Sequence, residues 1–87
     1  MAVKIYNFNY FKDLPKIIES DLSNVSLSDM LDHLESEYNS ELKRALLVDG
    51  KIAETVRVSI NGHPVYSLDA RIPNDSQLMF SIILAGG

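Results

Sequence analysis

The sequence predicts an α+β domain in which one main amphipathic helix packs on one face of a mixed sheet of four to five strands. Three observations predict it. Apolar residues recur at helical spacing in a single stretch, Leu27 to Tyr38. Strict alternation runs through Thr55 to Ile60 and stops at Asn61-Gly62. The segment from Leu78 to Leu84 is apolar on both of its faces, as a strand buried on two sides would be.

The elements follow in order. Val3 and Ile5 alternate with Lys4 and Tyr6, which reads as a first strand entering an aromatic loop at Phe8, Tyr10 and Phe11, punctuated by Pro15. Lys16 to Leu22 reads as a second strand, returning beside the first as a hairpin. Ser26-Leu27-Ser28-Asp29 then places a hydroxyl where it can accept from the free N–H groups of a helix start, with an acidic residue three positions on. Leu27, Met30, Leu31, Leu34 and Tyr38 form one face of the helix, and Asp32, Glu35, Ser36 and Glu37 form the other.

Glu41 to Leu47 suggests a shorter helical turn ended by Asp49-Gly50. In Thr55 to Ile60, Val56, Val58 and Ile60 point inward and Arg57 and Ser59 outward. Asn61-Gly62 is a hairpin signal, because both central residues of the favoured two-residue turn need positive φ. Val65-Tyr66 begins the returning strand, and Asp69 to Ser76, with Pro73 and Asn74-Asp75, reads as irregular. In the closing strand Leu78, Phe80, Ile82 and Leu84 share one face, leaving Met79 and Ile83 on the other. One helix covers only one face of such a sheet. Met79 and Ile83 are therefore candidates for a partner-docking patch, with Phe80 and Ala85 beside them.

Size and composition narrow the function classes. With 87 residues, 46% of them hydrophobic, the chain suffices for one core and not for two. It has no cysteine, which removes disulfides, thiolate metal ligands and cysteine nucleophiles together. A net charge of −4 and a pI near 4.9 oppose nucleic-acid binding, which needs a cationic surface, and favour basic protein partners. Lys43-Arg44, the only adjacent basic pair, reads as a solvated helix face. Leu78 to Ala85 is the longest nearly apolar run, far short of the roughly 20 residues of a membrane span. The expected compartment is the cytoplasm, without membrane attachment.

Side-chain catalysis is thinly supplied. His33 falls on the polar side of the helix and His63 in a hairpin turn, with no spacing that suggests a metal site. What remains is the tail. A terminal Gly-Gly arises by chance in about one chain in 200, and Gly86-Gly87 follow the last apolar strand with only Ala85 between. Residues 85–87 are expected to form a flexible tail reaching about 10 Å beyond the strand. Glycine lets such a tail thread a slot where a Cβ would collide and leaves the carboxylate of Gly87 unobstructed. A carboxylate is a poor electrophile, so chemistry on it calls for activation by a nucleotide that another enzyme supplies.

This order of elements resembles the ubiquitin-like β-grasp fold, over nearly the whole of residues 1–87. More narrowly the chain resembles the MoaD/ThiS sulfur carriers, particularly the small subunit of molybdopterin synthase. The resemblance rests on Val3-Lys4-Ile5-Tyr6 as the opening strand, Val25 to Leu31 as the helix start, Val58 to Gly62 as the strand ending in Asn-Gly, and Leu78 to Gly87 as closing strand and tail. Asn74-Asp75-Ser76 stands where the family usually has Asp-Gly-Asp, and Ile82-Ile83 where many molybdopterin-synthase subunits have two prolines.

The resemblance implies that an E1-like adenylyltransferase uses ATP to adenylate Gly87, that the carboxylate becomes a thiocarboxylate, and that the tail, through Gly86, enters a large synthase subunit to deliver sulfur. It implies no intrinsic cofactor and no metal. Two other readings stay open: a protein modifier joined to lysines through the same carboxylate, and an interaction domain without that chemistry.

Overall fold

In the computed structural model, which describes residues 2–8 and 10–83, the chain is built on a five-stranded sheet. Strand β1 (Val3–Phe8) pairs antiparallel with β2 (Ile17–Ser20), so the expected opening hairpin is present. The last strand, numbered β9 in chain order (Gln77–Ile82), runs parallel to β1 on the other side. On its far side β9 pairs antiparallel with β6 (Val56–Ile60), which pairs in turn with β7 (His63–Val65). The sheet order is therefore β2-β1-β9-β6-β7, and the last strand in sequence is the central one in space.

Helix α1 spans Leu27–Tyr38, as its apolar spacing predicts, and buries Leu27, Met30, Leu31 and Leu34. Each N–H of its first three residues finds an acceptor. Leu27 donates to the Ala70 carbonyl at 2.8 Å, Ser28 to the Leu68 carbonyl at 3.0 Å, and Asp29 to Ser26 Oγ at 3.1 Å. These are donors that a helix cannot satisfy internally. The "irregular" segment after β7 is thus a cap for the helix. It also holds β8 (Arg71–Ile72), which pairs antiparallel with β3 (Val25–Ser26). Asn39 closes the helix in the left-handed region, φ 51°, with its N–H on the Glu35 carbonyl.

The shorter helix α2 covers Leu42–Leu46. It does not run on to Asp49-Gly50. Instead β4 (Leu47–Val48) and β5 (Lys51–Ile52) form a small hairpin with Asp49 and Gly50 as its turn, both at positive φ. Lys43 is likewise not merely solvated: its Nζ lies 2.8 Å from Asp32 Oδ1 and donates to Ser28 Oγ at 2.9 Å, and its backbone N–H donates to Glu35 Oε2. These bonds tie α2 to α1. Arg44 beside it is exposed.

The core lies between α1 and the inner face of the sheet. Val3 and Ile5 of β1, Val56, Val58 and Ile60 of β6, and Leu78 and Phe80 of β9 pack with the four buried leucine and methionine residues of α1. Asn7 is buried on this inner face, and its side chain organises the next loop. Its Oδ1 accepts from the N–H groups of Tyr10 and Phe11, while its Nδ2 donates to the Phe11 and Leu14 carbonyls. Among the described residues no buried side-chain nitrogen or oxygen lacks a partner.

Candidate functional site

The strand that precedes Gly86-Gly87 in sequence is β9. Its ladder with β1 runs from Gln77 to Ser81, and its ladder with β6 from Leu78 to Ile82. One step further, the Ile83 N–H donates to the Thr55 carbonyl at 2.8 Å. The entry to β9 is equally fixed. Asp75 takes the turn at φ 58°, Ser76 Oγ donates to the Pro73 carbonyl, and the Gln77 N–H donates to Asn61 Oδ1 at 2.9 Å. Asn61 thus serves two roles, shaping the β6–β7 turn at φ 52° and tying it to the start of β9. Gly62 follows at φ 84°, the backbone of the expected Asn-Gly hairpin. Ala85, Gly86 and Gly87, with Leu84, lie outside the described residues.

The candidate docking residues separate. Phe80 has no accessible surface: it is a core residue, in edge-to-face contact with Phe11 at 5.0 Å between ring centroids. Its place on the inner face of a central strand under the helix removes it from any docking surface. Met79 points to the opposite, helix-free face and is half-buried there. Ile83, just past the strand, is 40% exposed, and Ile82 is 49% exposed.

Strand register places Ile17, Tyr6, Met79, Ser59 and Pro64 side by side in one row across all five strands of that open face. Phe8, Ser81 and Arg57 form the next row. Tyr6 and Phe8 stack at 6.2 Å, and Phe8 and Ile17 are each more than half exposed. Ser59 points outward as its alternation predicts, yet Met79 and Pro64 flank it on both sides and it is buried. Sequence reasoning set Met79 on the face away from the helix and did not place Tyr6, Phe8 and Ile17 beside it. The parallel pairing of β1 with β9 makes them one surface, and no local pattern reports a contact between the two ends of a chain.

At the exit of β9 the open face meets a hollow of about 470 Å³ whose lining includes Ile52, Ala53, Val65, Tyr66 and Ile83. Tyr66 falls after β7 instead of within it and is 85% exposed. Arg57 and Lys51 also line this hollow, with Glu54 as its one carboxylate. The surround of the tail exit is therefore apolar with a slight positive surplus, whereas α1 carries Asp29, Asp32, Glu35 and Glu37.

Other side chains with chemical potential are dispersed. His33 Nε2 is 3.7 Å from Glu37 Oε1 on the surface of α1, and His63 is exposed in β7, not in the turn before it. Among the described residues no three His, Asp or Glu side chains converge in a metal-binding group. Tyr10 donates its hydroxyl to the Ala45 carbonyl at 2.8 Å, and burial pushes its ionisation above the ordinary value. No described helix is long and apolar enough to cross a membrane.

A mixed sheet of five strands, with β1 and β9 parallel at its middle and one main helix across it, is the ubiquitin-like β-grasp fold. Solved structures agree. SAMP1 from Haloferax volcanii superposes with a TM-score of 0.74 at 18% identity, over 100% of both chains. A chain of the BexX/CysO complex of Amycolatopsis orientalis gives 0.77 at 21% identity, over 99% of this chain and 100% of that one. The Haloferax volcanii HVO 2177 protein gives 0.73 at 24% identity, over 100% of this chain and 87% of that one. No protein-family model and no curated protein sequence matches the chain.

Proposed function

We propose that this chain is a sulfur carrier whose working group is the C-terminal carboxylate of Gly87. The observation that carries the reading is the position of β9: the strand leading to Gly86-Gly87 is the central one, hydrogen-bonded on both sides and held as far as Ile83. A tail rooted there starts from a fixed point, so a partner enzyme can find the chain end at a set distance from the sheet.

In this reading residues 1–87 act as one domain with 85–87 as its tail. The Gly87 carboxylate attacks the α-phosphate of ATP on an E1-like adenylyltransferase and releases pyrophosphate. A sulfur nucleophile then displaces AMP, leaving a thiocarboxylate. Gly86 threads the partner's slot, and Met79, Ile83 and Ala85 lie where the partner grips. The pathway is molybdopterin biosynthesis in the cytoplasm, with this chain as the small, non-catalytic subunit of the synthase. The β-grasp fold and the terminal Gly86-Gly87 support a carrier of this kind. The CysO match, a sulfur carrier solved with BexX, supports partner docking by such a fold.

A second reading is favoured by the likeness to SAMP1, a ubiquitin-like small archaeal modifier: the same adenylate is attacked by a lysine amine and forms an isopeptide bond. Incubation with the cognate activating enzyme, ATP and a sulfur donor separates the two. Intact mass spectrometry is expected to show one oxygen exchanged for sulfur. Conjugate bands on a denaturing gel without that exchange would establish the modifier instead. Absence of both, with the native terminus confirmed by mass, would leave a plain interaction domain.

A further inference from the structure

Of the two outer edges of the sheet, one is blunted and the other is open. β7 is three residues long and contains Pro64, which has no N–H to offer. β2 contains no proline, and among the described residues no strand lies beyond it. Its hydrogen-bonding phase follows from the Asn7 N–H, which donates to the Lys16 carbonyl at 2.8 Å. Alternate pairs in an antiparallel ladder exchange bonds, so with Tyr6 opposite Ile17 and Lys4 opposite Glu19, the backbone groups of Ile17 and Glu19 point away from β1 toward the free edge.

That edge forms one wall of a groove of about 480 Å³. Ser20 to Leu22 continue the wall, and His33, Glu37 and Tyr38, from the C-terminal half of α1, form the opposite one. Among the described residues no lysine or arginine lines the groove. Asp21 is exposed, and Glu37 is 60% exposed, its one ion-pair contact among the described residues being with the His33 imidazole at 3.7 Å. On the outward side of the same edge Ile17 is 60% exposed. Glu19 has Lys4 opposite it across the β1–β2 ladder, so its charge is not counted as part of the groove's field.

The geometry points to β2 as a docking edge for an extended, basic peptide segment that adds as a sixth strand. Main-chain bonds to Ile17 and Glu19 hold it, which is how strands add to an exposed edge. Because side chains of the added strand alternate, one set faces the helix side and meets Asp21 and Glu37. The other set lies beside Ile17. Lysine or arginine alternating with an aliphatic residue fits both sides. This surface is distinct from the tail exit and does not depend on the chemistry of Gly87.

The test uses the full chain, isotope-labelled for backbone amide NMR, titrated with a short peptide of alternating valine and lysine. Shifts are expected at Ile17 to Asp21 and His33 to Tyr38, with slowed exchange at the Ile17 and Glu19 amides. Two controls define the mode: replacing the lysines by glutamate, and N-methylating the peptide amides that face β2. Each is expected to weaken binding by about tenfold or more, the first through charge and the second through the lost ladder. Asp21→Lys with Glu37→Lys, both on the surface, is expected to reverse the preference toward the glutamate peptide. No binding, shifts centred on Tyr6 and Met79, or equal binding of the N-methylated peptide would each overturn the proposal.

Discussion

At the scale of single residues, the turns rest on Asn and Asp as much as on glycine: Gly50 and Gly62 serve two of them, after Asp49 and Asn61. Asn24, Asn39, Asp49, Asn61 and Asp75 all adopt positive φ, and every described non-glycine residue that does so is Asn or Asp. Their short polar side chains tolerate this region better than other L-residues do. The signal was legible where Asn preceded Gly at 61–62 and invisible at Asn24 and Asn39, because an isolated Asn has too many other uses. Tyr10 allows a sharper test. Partial burial raises the ionisation of its hydroxyl above the ordinary 10.0, so the protonated form is the one the fold favours. Its contribution is complete below pH 10.0 and fades as pH rises through the folded value. An absorbance titration is therefore expected to show one of the four tyrosines ionising late, and Tyr10→Phe to remove that late component. A titration with no late component before the substitution would contradict the partial burial of Tyr10.

At the scale of elements, α1 was readable to the residue because its apolar period and its Ser26 cap agree. Ser26→Ala is expected to cost about 1 kcal/mol. The effect should be modest, since Ala70 and Leu68 carbonyls still satisfy Leu27 and Ser28; denaturant unfolding measures it. β3 with β8, and β4 with β5, escaped the sequence reading for a common reason. Each strand is two residues long, too short to display alternation, and is defined only by its distant partner. Lys43 looked like surface charge because nothing local reveals that α2 folds back to place it against Asp32 and Ser28. That contact is partly solvent-exposed and contributes about 0–1 kcal/mol. Its effect is to set the direction of α2 more than to stabilise it.

At the scale of the whole molecule, the parallel pairing of β1 with β9 sets these two strands side by side at the middle of the sheet. That pairing decides what each residue of β9 does. Phe80, read from a two-faced apolar strand as a docking candidate, is committed to the core, and Phe80→Ala is expected to lose about 3–5 kcal/mol of stability in denaturant unfolding. Met79, one residue away, faces outward. Alternation shows that neighbours point oppositely but not which face the helix covers.

The proposed function requires that other proteins act on the chain end that follows this sheet's central strand. Gly87→Ala tests it most directly, with two readings taken on one protein: ATP–pyrophosphate exchange with the cognate E1-like enzyme, and the denaturant unfolding midpoint. The account predicts that exchange is lost while stability changes by less than about 0.5 kcal/mol, as for a substitution outside the packed structure. Undiminished exchange, or a loss of stability comparable to that of Phe80→Ala, would contradict it.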